Sequence, residues 1–289
     1  MASGILIVDK PEGWTSMDVC AKLRGVFHER RIGHGGTLDP MATGVLPVFV
    51  GRATRAVEFA EKSDKEYIAG LKLGVITNTQ DSSGEVLEER PVHVTREALE
   101  STLEQFRGDI LQIPPMYSAI KINGKKLYEL ARKGREVERP ARPVTIKALK
   151  LLEQQGEDLY TIKVRCTKGT YIRTLCHDVG QALGCGGCMA SLRRTMAAGF
   201  TFKDARTLEE LQSAPDPAAL LMPVEELFAD RERLVLSPTS EKRVRNGMTA
   251  VLPNVNPGEY RVYAQSGEFL ALCQAKGGKL TTIKSFFEV

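Results

Sequence analysis

Apolar and polar positions along the chain switch between two periods, and the switches predict the elements. Residues 4–8 are a short β-rich run ending at the turn cluster Asp9-Lys10-Pro11-Glu12-Gly13. Ser16 is a suitable N-cap for a helix reaching Phe27, with Val19, Leu23, Val26 and Phe27 on one face. Residues 30–43 hold His34, Gly35, Gly36, Thr37, Asp39 and Pro40, which predicts a shaped loop. Residues 45–50 read as a buried strand, 53–61 as a helix and 67–73 as a strand, before a polar loop over 77–84. Thr95 caps a helix to Phe106. Short strands are expected at 109–113 and 118–122, a helix at 126–133, longer strands at 144–154 and 159–166, and helical spacing spans 171–183.

Strands and helices mix without βαβ alternation. The expected fold class is therefore α+β, with a mixed, largely antiparallel sheet and flanking helices. Beyond Phe228 short β-type runs at 234–236, 249–252, 260–263, 269–275 and 280–287 are divided by Asn246-Gly247, Pro257-Gly258, Ser266-Gly267 and Gly277-Gly278. That spacing predicts a small C-terminal β barrel. The expected division is 1–228 and 229–289, in line with the soft prior of roughly 150 residues per domain for a chain of 289.

With 42% hydrophobic and 26% charged residues the composition is globular. No apolar run approaches the roughly 20 residues of a membrane-spanning helix, and Asp9 and Lys10 break the N-terminal stretch too early for a signal peptide. A soluble, cytoplasmic protein is expected. The six cysteines are too sparse for a disulfide framework. Cys185 and Cys188 have CxxC spacing near Cys176 and His177, but no second pair exists to complete a tetrahedral zinc site, so no metal is expected. The net charge of +4 is unevenly spread. From Lys121 to Arg142, eight basic residues face three glutamates, a local field that attracts polyanions or simply marks a solvated helix face.

The loop around Asp39 is the leading candidate for chemistry. Paired glycines let another backbone or a ligand approach closely, and Pro40 holds Asp39 extended. A carboxylate fixed in that way suits nucleophilic or general-base work; taken alone, an Asp capping its own turn is the plainer reading. The glycines do not form a P-loop, because no GKS or GKT follows.

Six ordered motifs decide the matter. They are Lys10-Pro11-x-Gly13-x-Thr15-Ser16; Gly33-His34-Gly35-Gly36-Thr37-Leu38-Asp39-Pro40 running on to Pro47; Lys65-x-Tyr67; Gln112-x-Pro114-Pro115-x-Tyr117-Ser118-Ala119-x-Lys121; Lys168-Gly169-Thr170-Tyr171-Ile172-Arg173-Thr174; and Leu192-Arg193-Arg194-Thr195. In order and spacing the chain closely resembles the bacterial tRNA pseudouridine-55 synthases over residues 4–200. Its C-terminal pattern is similar to a PUA-type RNA-binding barrel.

The resemblance implies an isomerase of the pseudouridine synthase fold, which detaches a uracil of the tRNA TΨC loop and rejoins it through carbon. The base must be flipped out to be reached. No cofactor, metal or guide RNA is implied, and a monomer is expected. Asp39 falls on the catalytic aspartate, Tyr67 on the active-site tyrosine, and Arg173 on the arginine that pairs with the aspartate. Tyr67, Tyr171 and Leu192 match positions bracketing the uracil, and His34 one that fills the space the flipped base leaves. Lys121, Lys125, Lys126 and Arg132 become candidates for the RNA backbone. Lys10 joins them, although its motif packs near the site and also reads as support for the loop. The C-terminal barrel would hold the acceptor end of the tRNA. Two other readings stand beside this one: a guide-RNA-dependent synthase, and a non-catalytic RNA-binding module, against which Asp39, Tyr67 and Arg173 together argue.

Overall fold

The structure is a computed structural model that describes residues 2–122 and 124–287. Its centre is a ten-stranded mixed sheet. The strands run in the order Ala205–Arg206, Gly4–Lys10, Thr43–Val50, Gly187–Ala197, Lys65–Leu73, Leu159–Cys166, Arg142–Gln155 and Gly108–Gln112, with Ile32–His34 and Phe200–Thr201 attached at the sides. Within that order, Ala205–Arg206 runs parallel to Gly4–Lys10, and Gly187–Ala197 parallel to Thr43–Val50. The other pairings are antiparallel. The α+β, largely antiparallel expectation holds.

The run Ile5-Leu6-Ile7-Val8 is apolar without alternation because both faces of its strand are covered. Leu6 and Val8 pack with Leu46, Val48 and Val50 against Val19, Cys20, Leu23 and Phe27 of the helix Ser16–Phe27. Ile5 and Ile7 pack with Val45 and Phe49 on the opposite side, against Phe228, Phe269, Leu272 and Phe286. Thr15, not Ser16, caps the helix: Thr15 and Asp18 form a capping box, which frees Ser16 to bond the loop described below.

Three local expectations change. Residues 30–43 are not all loop, since Ile32–His34 pairs with the end of Thr43–Val50. Of residues 118–122 only Lys121–Ile122 forms a strand, in a two-residue ladder with Lys125–Lys126. The central strand Gly187–Ala197 was not expected at all, because its Arg193-Arg194 pair breaks the apolar pattern of a buried strand.

The C-terminal residues form a curled five-stranded sheet in the order Glu232–Val235, Gly258–Tyr263, Phe269–Lys276, Lys279–Ser285 and Ala250–Val251. It has its own apolar interior around Val262, Leu270, Ala271 and Leu280. Phe269 and Phe286 nevertheless belong to the core that begins at Ile5, and Lys284 bonds Glu58 at 2.8 Å. No helix among the described residues is long and apolar enough to cross a membrane.

Candidate active site

The loop carrying Asp39 is fastened from several sides. The Leu38 N–H donates to Ser16 Oγ at 2.9 Å, the Gly13 N–H to the Pro40 carbonyl at 2.8 Å, and the Gly35 N–H to the Pro47 carbonyl at 2.8 Å. Gly44 has φ +103°, and a Cβ there would collide with the Arg194 carbonyl oxygen, because the two strands meet at that residue. Lys10 Nζ donates to the carbonyls of Pro11, Trp14 and Pro40 at 2.8, 2.6 and 3.2 Å. Arg194 donates to the carbonyls of Val45, Gly36 and Thr37 at 2.7, 3.1 and 3.5 Å.

These bonds correct one expectation. Lys10 is fully buried, so its ammonium cannot meet an RNA phosphate; it holds the loop. Burial brings its pKa down to about 8.

Asp39 and Arg173 meet as the motifs imply. Arg173 Nε lies 3.1 Å from Asp39 Oδ2 and Nη2 3.4 Å from Oδ1, a two-pronged grip. The Arg173 side chain is 7% exposed and that of Asp39 37%, so the cation is sheltered while the carboxylate remains accessible. Loss of hydration pushes the Asp39 carboxyl above its ordinary pKa, Arg173 and Lys10 pull it back, and Asp81 opposes them.

Asp81 was not anticipated. No second carboxylate stands near Asp39 in sequence, but the fold brings this one to the other side of the same guanidinium. Its Oδ2 lies 3.4 Å from Arg173 Nη1, which also reaches the Thr79 carbonyl at 3.3 Å. Asp81 Oδ1 accepts from Thr79 Oγ1 at 2.9 Å, the Ser83 N–H at 3.0 Å and Ser83 Oγ at 2.5 Å. The fifth Arg173 bond, Nη2 to the Tyr117 carbonyl at 2.9 Å, ties the base of the basic segment to the site.

Tyr67 stands opposite Arg194 in the sheet, close enough for that buried cation to act on its phenol. Burial pushes the phenol up, so at neutral pH it is a neutral hydrogen-bonding plane. Tyr67 shares one apolar cluster with Leu38, Ile172 and Leu192, which puts two expected pocket positions, Tyr67 and Leu192, on one patch with Asp39 beside them. Tyr171 flanks Arg173, its backbone clamped by the Gln112 amide through bonds of 2.9 and 3.1 Å. His34 lies opposite Val48 and near Arg194; burial and that cation keep the imidazole neutral, and its Nδ1 has no hydrogen-bond partner among the described residues.

Lys121, Lys125 and Arg132 are exposed, while Lys126 and Arg132 flank the Tyr128 ring at 5.4 and 5.5 Å. Cys176, Cys185 and Cys188 are buried free thiols, and among the described residues no three metal-binding side chains converge.

Residues 24–172 match the TruB family pseudouridylate synthase (N terminal domain), and residues 173–229 match the tRNA pseudouridylate synthase B C-terminal domain. The chain is 44% identical over 282 residues to a protein of Azoarcus sp. (strain BH72) named tRNA pseudouridine synthase B, covering 97% of this chain and 93% of that one. It is 46% identical over 277 residues to the protein of that name from Stutzerimonas stutzeri (strain A1501), covering 93% and 90%. A chain in the crystal structure of a Cbf5–Nop10–Gar1 complex superposes with a TM-score of 0.76 at 26% identity, over 98% of this chain and 85% of that one. The glycine-clamped Asp39, its Arg173 partner and these matches agree: the chain belongs to the TruB family of pseudouridine synthases.

Proposed function

We propose that the chain converts a uridine in the TΨC loop of tRNA, position 55, to pseudouridine, acting alone and without a guide RNA. The observation that carries the reading is the accessible Asp39 carboxylate held by a sheltered Arg173 beside the Tyr67–Leu192 patch. In the isomerisation the N1–C1′ bond of the nucleotide breaks and a C5–C1′ bond forms. The C5 proton leaves, and N1 takes one up, so atoms and electrons balance without a cofactor.

Each residue has a place in this reading. Asp39 is the nucleophile, and Arg173 keeps it ionised and oriented against the cost of burial. Tyr67 and Leu192 bracket the uracil, with Tyr171 at its edge and the neutral His34 filling the vacated stack. Lys121, Lys125, Lys126 and Arg132 contact phosphates and fix the register of the RNA without reading its sequence. Residues 1–228 work as the catalytic part, and 229–289 as a PUA-like part that holds the acceptor end. Independence from guide RNA is supported by the relatives named tRNA pseudouridine synthase B, at 44% identity over nearly the whole chain against 26% for the Cbf5-complex chain.

Purified protein, unmodified tRNA transcript and a chelator are expected to yield pseudouridine at a single position. Asp39→Asn is expected to bind the transcript and leave it unchanged. A need for guide RNA, or full activity of Asp39→Asn, overturns the reading.

A further inference from the structure

The loop that brings Asp81 to Arg173 is held by a residue with no part in the scheme above. Gln80 has φ +64°, a conformation that non-glycine residues rarely keep unless their surroundings fix it. Here three bonds do so. Its N–H donates to the Thr77 carbonyl at 3.2 Å, its carbonyl accepts from the Met189 N–H at 3.0 Å, and its side-chain Oε1 accepts from Thr174 Oγ1 at 2.8 Å. The Ser82 N–H grips the Met189 carbonyl at 2.9 Å, so both neighbours of Asp81 hold one residue of the central strand.

Thr174 directly follows Arg173 on the helix Ile172–Ala182 and is buried. The Gln80–Thr174 bond therefore joins the same two elements as the Asp81–Arg173 pair, one residue earlier on the loop and one later on the helix. The pair itself is long, with Nη1 shared between Asp81 Oδ2 at 3.4 Å and the Thr79 carbonyl at 3.3 Å. Contacts of that length set a direction only if the loop is fixed by something else.

We propose that Gln80 is a positioning residue for Asp39: through its left-handed turn and the hydrogen bond its side-chain carbonyl accepts from Thr174 it fixes Asp81 against Arg173, and so fixes how the guanidinium presents Nε to the nucleophile. This rests on the pseudouridine-forming reading. A misplacement of about 1 Å at a reacting group costs on the order of a hundredfold in rate, so a partly loosened loop is expected to cost on the order of tenfold.

The test compares Gln80→Gly, Thr174→Val, Thr174→Ser and the double variant Gln80→Gly/Thr174→Val in single-turnover pseudouridine formation, tRNA affinity and pH profile. Glycine adopts the positive φ of the turn without strain and removes the side chain that bonds Thr174. Gln80→Gly and Thr174→Val are each expected to slow the step on the order of tenfold at unchanged tRNA affinity. The double variant is expected to be no slower than the slower single variant, and Thr174→Ser to keep the rate.

Asp39 is faced by Arg173, Asp81 and Lys10, with Tyr67 and Tyr171 also near it. A wandering guanidinium weakens the pull that keeps the carboxyl ionised, and that loss outweighs the Asp81 repulsion relieved with it, so the acid limb of the profile moves to higher pH. A merely structural defect would not move it. Full rate in Gln80→Gly, additive losses in the double variant, or losses without the pH shift overturn the proposal. The unaltered chain is assayed alongside. Its inactivity fails the parent reading, whereas its normal turnover with unaffected variants fails this inference alone.

Discussion

Arg173→Lys keeps the positive charge and removes the fork. The guanidinium serves five acceptors: both Asp39 oxygens, Asp81 Oδ2 and the carbonyls of Thr79 and Tyr117. An ammonium is a single point with three donors and cannot span that set. If it stays with Asp39 it replaces two bonds by one. A hydrogen bond to a charged group contributes about 1.5–3 kcal/mol. At 1.36 kcal/mol per tenfold, losing one slows the step roughly 10- to 150-fold. The Asp39 side chain is 37% exposed, so water screens part of the interaction and the lower half of the range is expected.

Release of the C5 proton from bound, C5-labelled tRNA reads that step directly in a single turnover. The sign with pH follows from the Asp39 environment. Burial raises its pKa and Arg173 opposes the rise, so Arg173→Lys is expected to lose more rate on the acid side than on the alkaline side. Wild-type turnover by Arg173→Lys, or a loss equal at every pH, would refute the reasoning.

Asp39→Asn is expected to melt no earlier than wild type at neutral pH. The folded carboxyl has a raised pKa, so its ionised form weakens the fold above that pKa, and the advantage of Asn vanishes as pH falls into the ordinary carboxylate range; urea melts at several pH values check this. Gly44→Ala combines a φ of +103° with a clash against the Arg194 carbonyl, and is expected to cost about 3 kcal/mol or more, read as a lowered denaturation midpoint. Replacing Lys121, Lys125 and Arg132 by Ala is expected to weaken tRNA binding and lower its salt slope by about one per lost phosphate contact, while the rate on saturating tRNA holds.

The parts of this molecule that were legible in sequence are those whose cause is local. Residues 4–8 and 45–50 show as strands because burial on both faces demands unbroken apolar runs, and Asp39 stands out because glycines and a proline surround it. The strand Gly187–Ala197 was illegible for the opposite reason. Arg194 is fully buried there because the carbonyls of Val45, Gly36 and Thr37, about 150 residues away in sequence, receive its guanidinium. Asp81 escaped notice for a related reason. Its loop has the polar composition of any surface turn, and the local signal was faint: hydroxyl residues two before and two after the carboxylate, Thr79 and Ser83, both of which bond it.

Burial of cations also changes what the charge pattern says about RNA. Lys10 and Arg194 are fully buried; Lys10 ties the Pro40 carbonyl of the Asp39 loop to those of Pro11 and Trp14, Arg194 bonds the Gly36 and Thr37 carbonyls, and Lys65, 6% exposed, bonds the carbonyls of Ala60, Glu61 and Ser63 behind Gly35 and Gly36. Burial brings Lys65, like Lys10, down to about 8. These three cations are invisible to a polyanion as contacts, although each counts toward the net +4. Lys284 is likewise engaged, by Glu58. Attraction of RNA to this surface therefore depends on where the exposed cations lie. In the segment from Lys121 to Arg142, Lys121, Lys125, Arg132, Lys133 and Arg135 are all exposed. The base of that segment is fixed to Arg173 through the Tyr117 carbonyl, so under the proposed function a phosphate gripped there would be held in register with the Asp39 carboxylate.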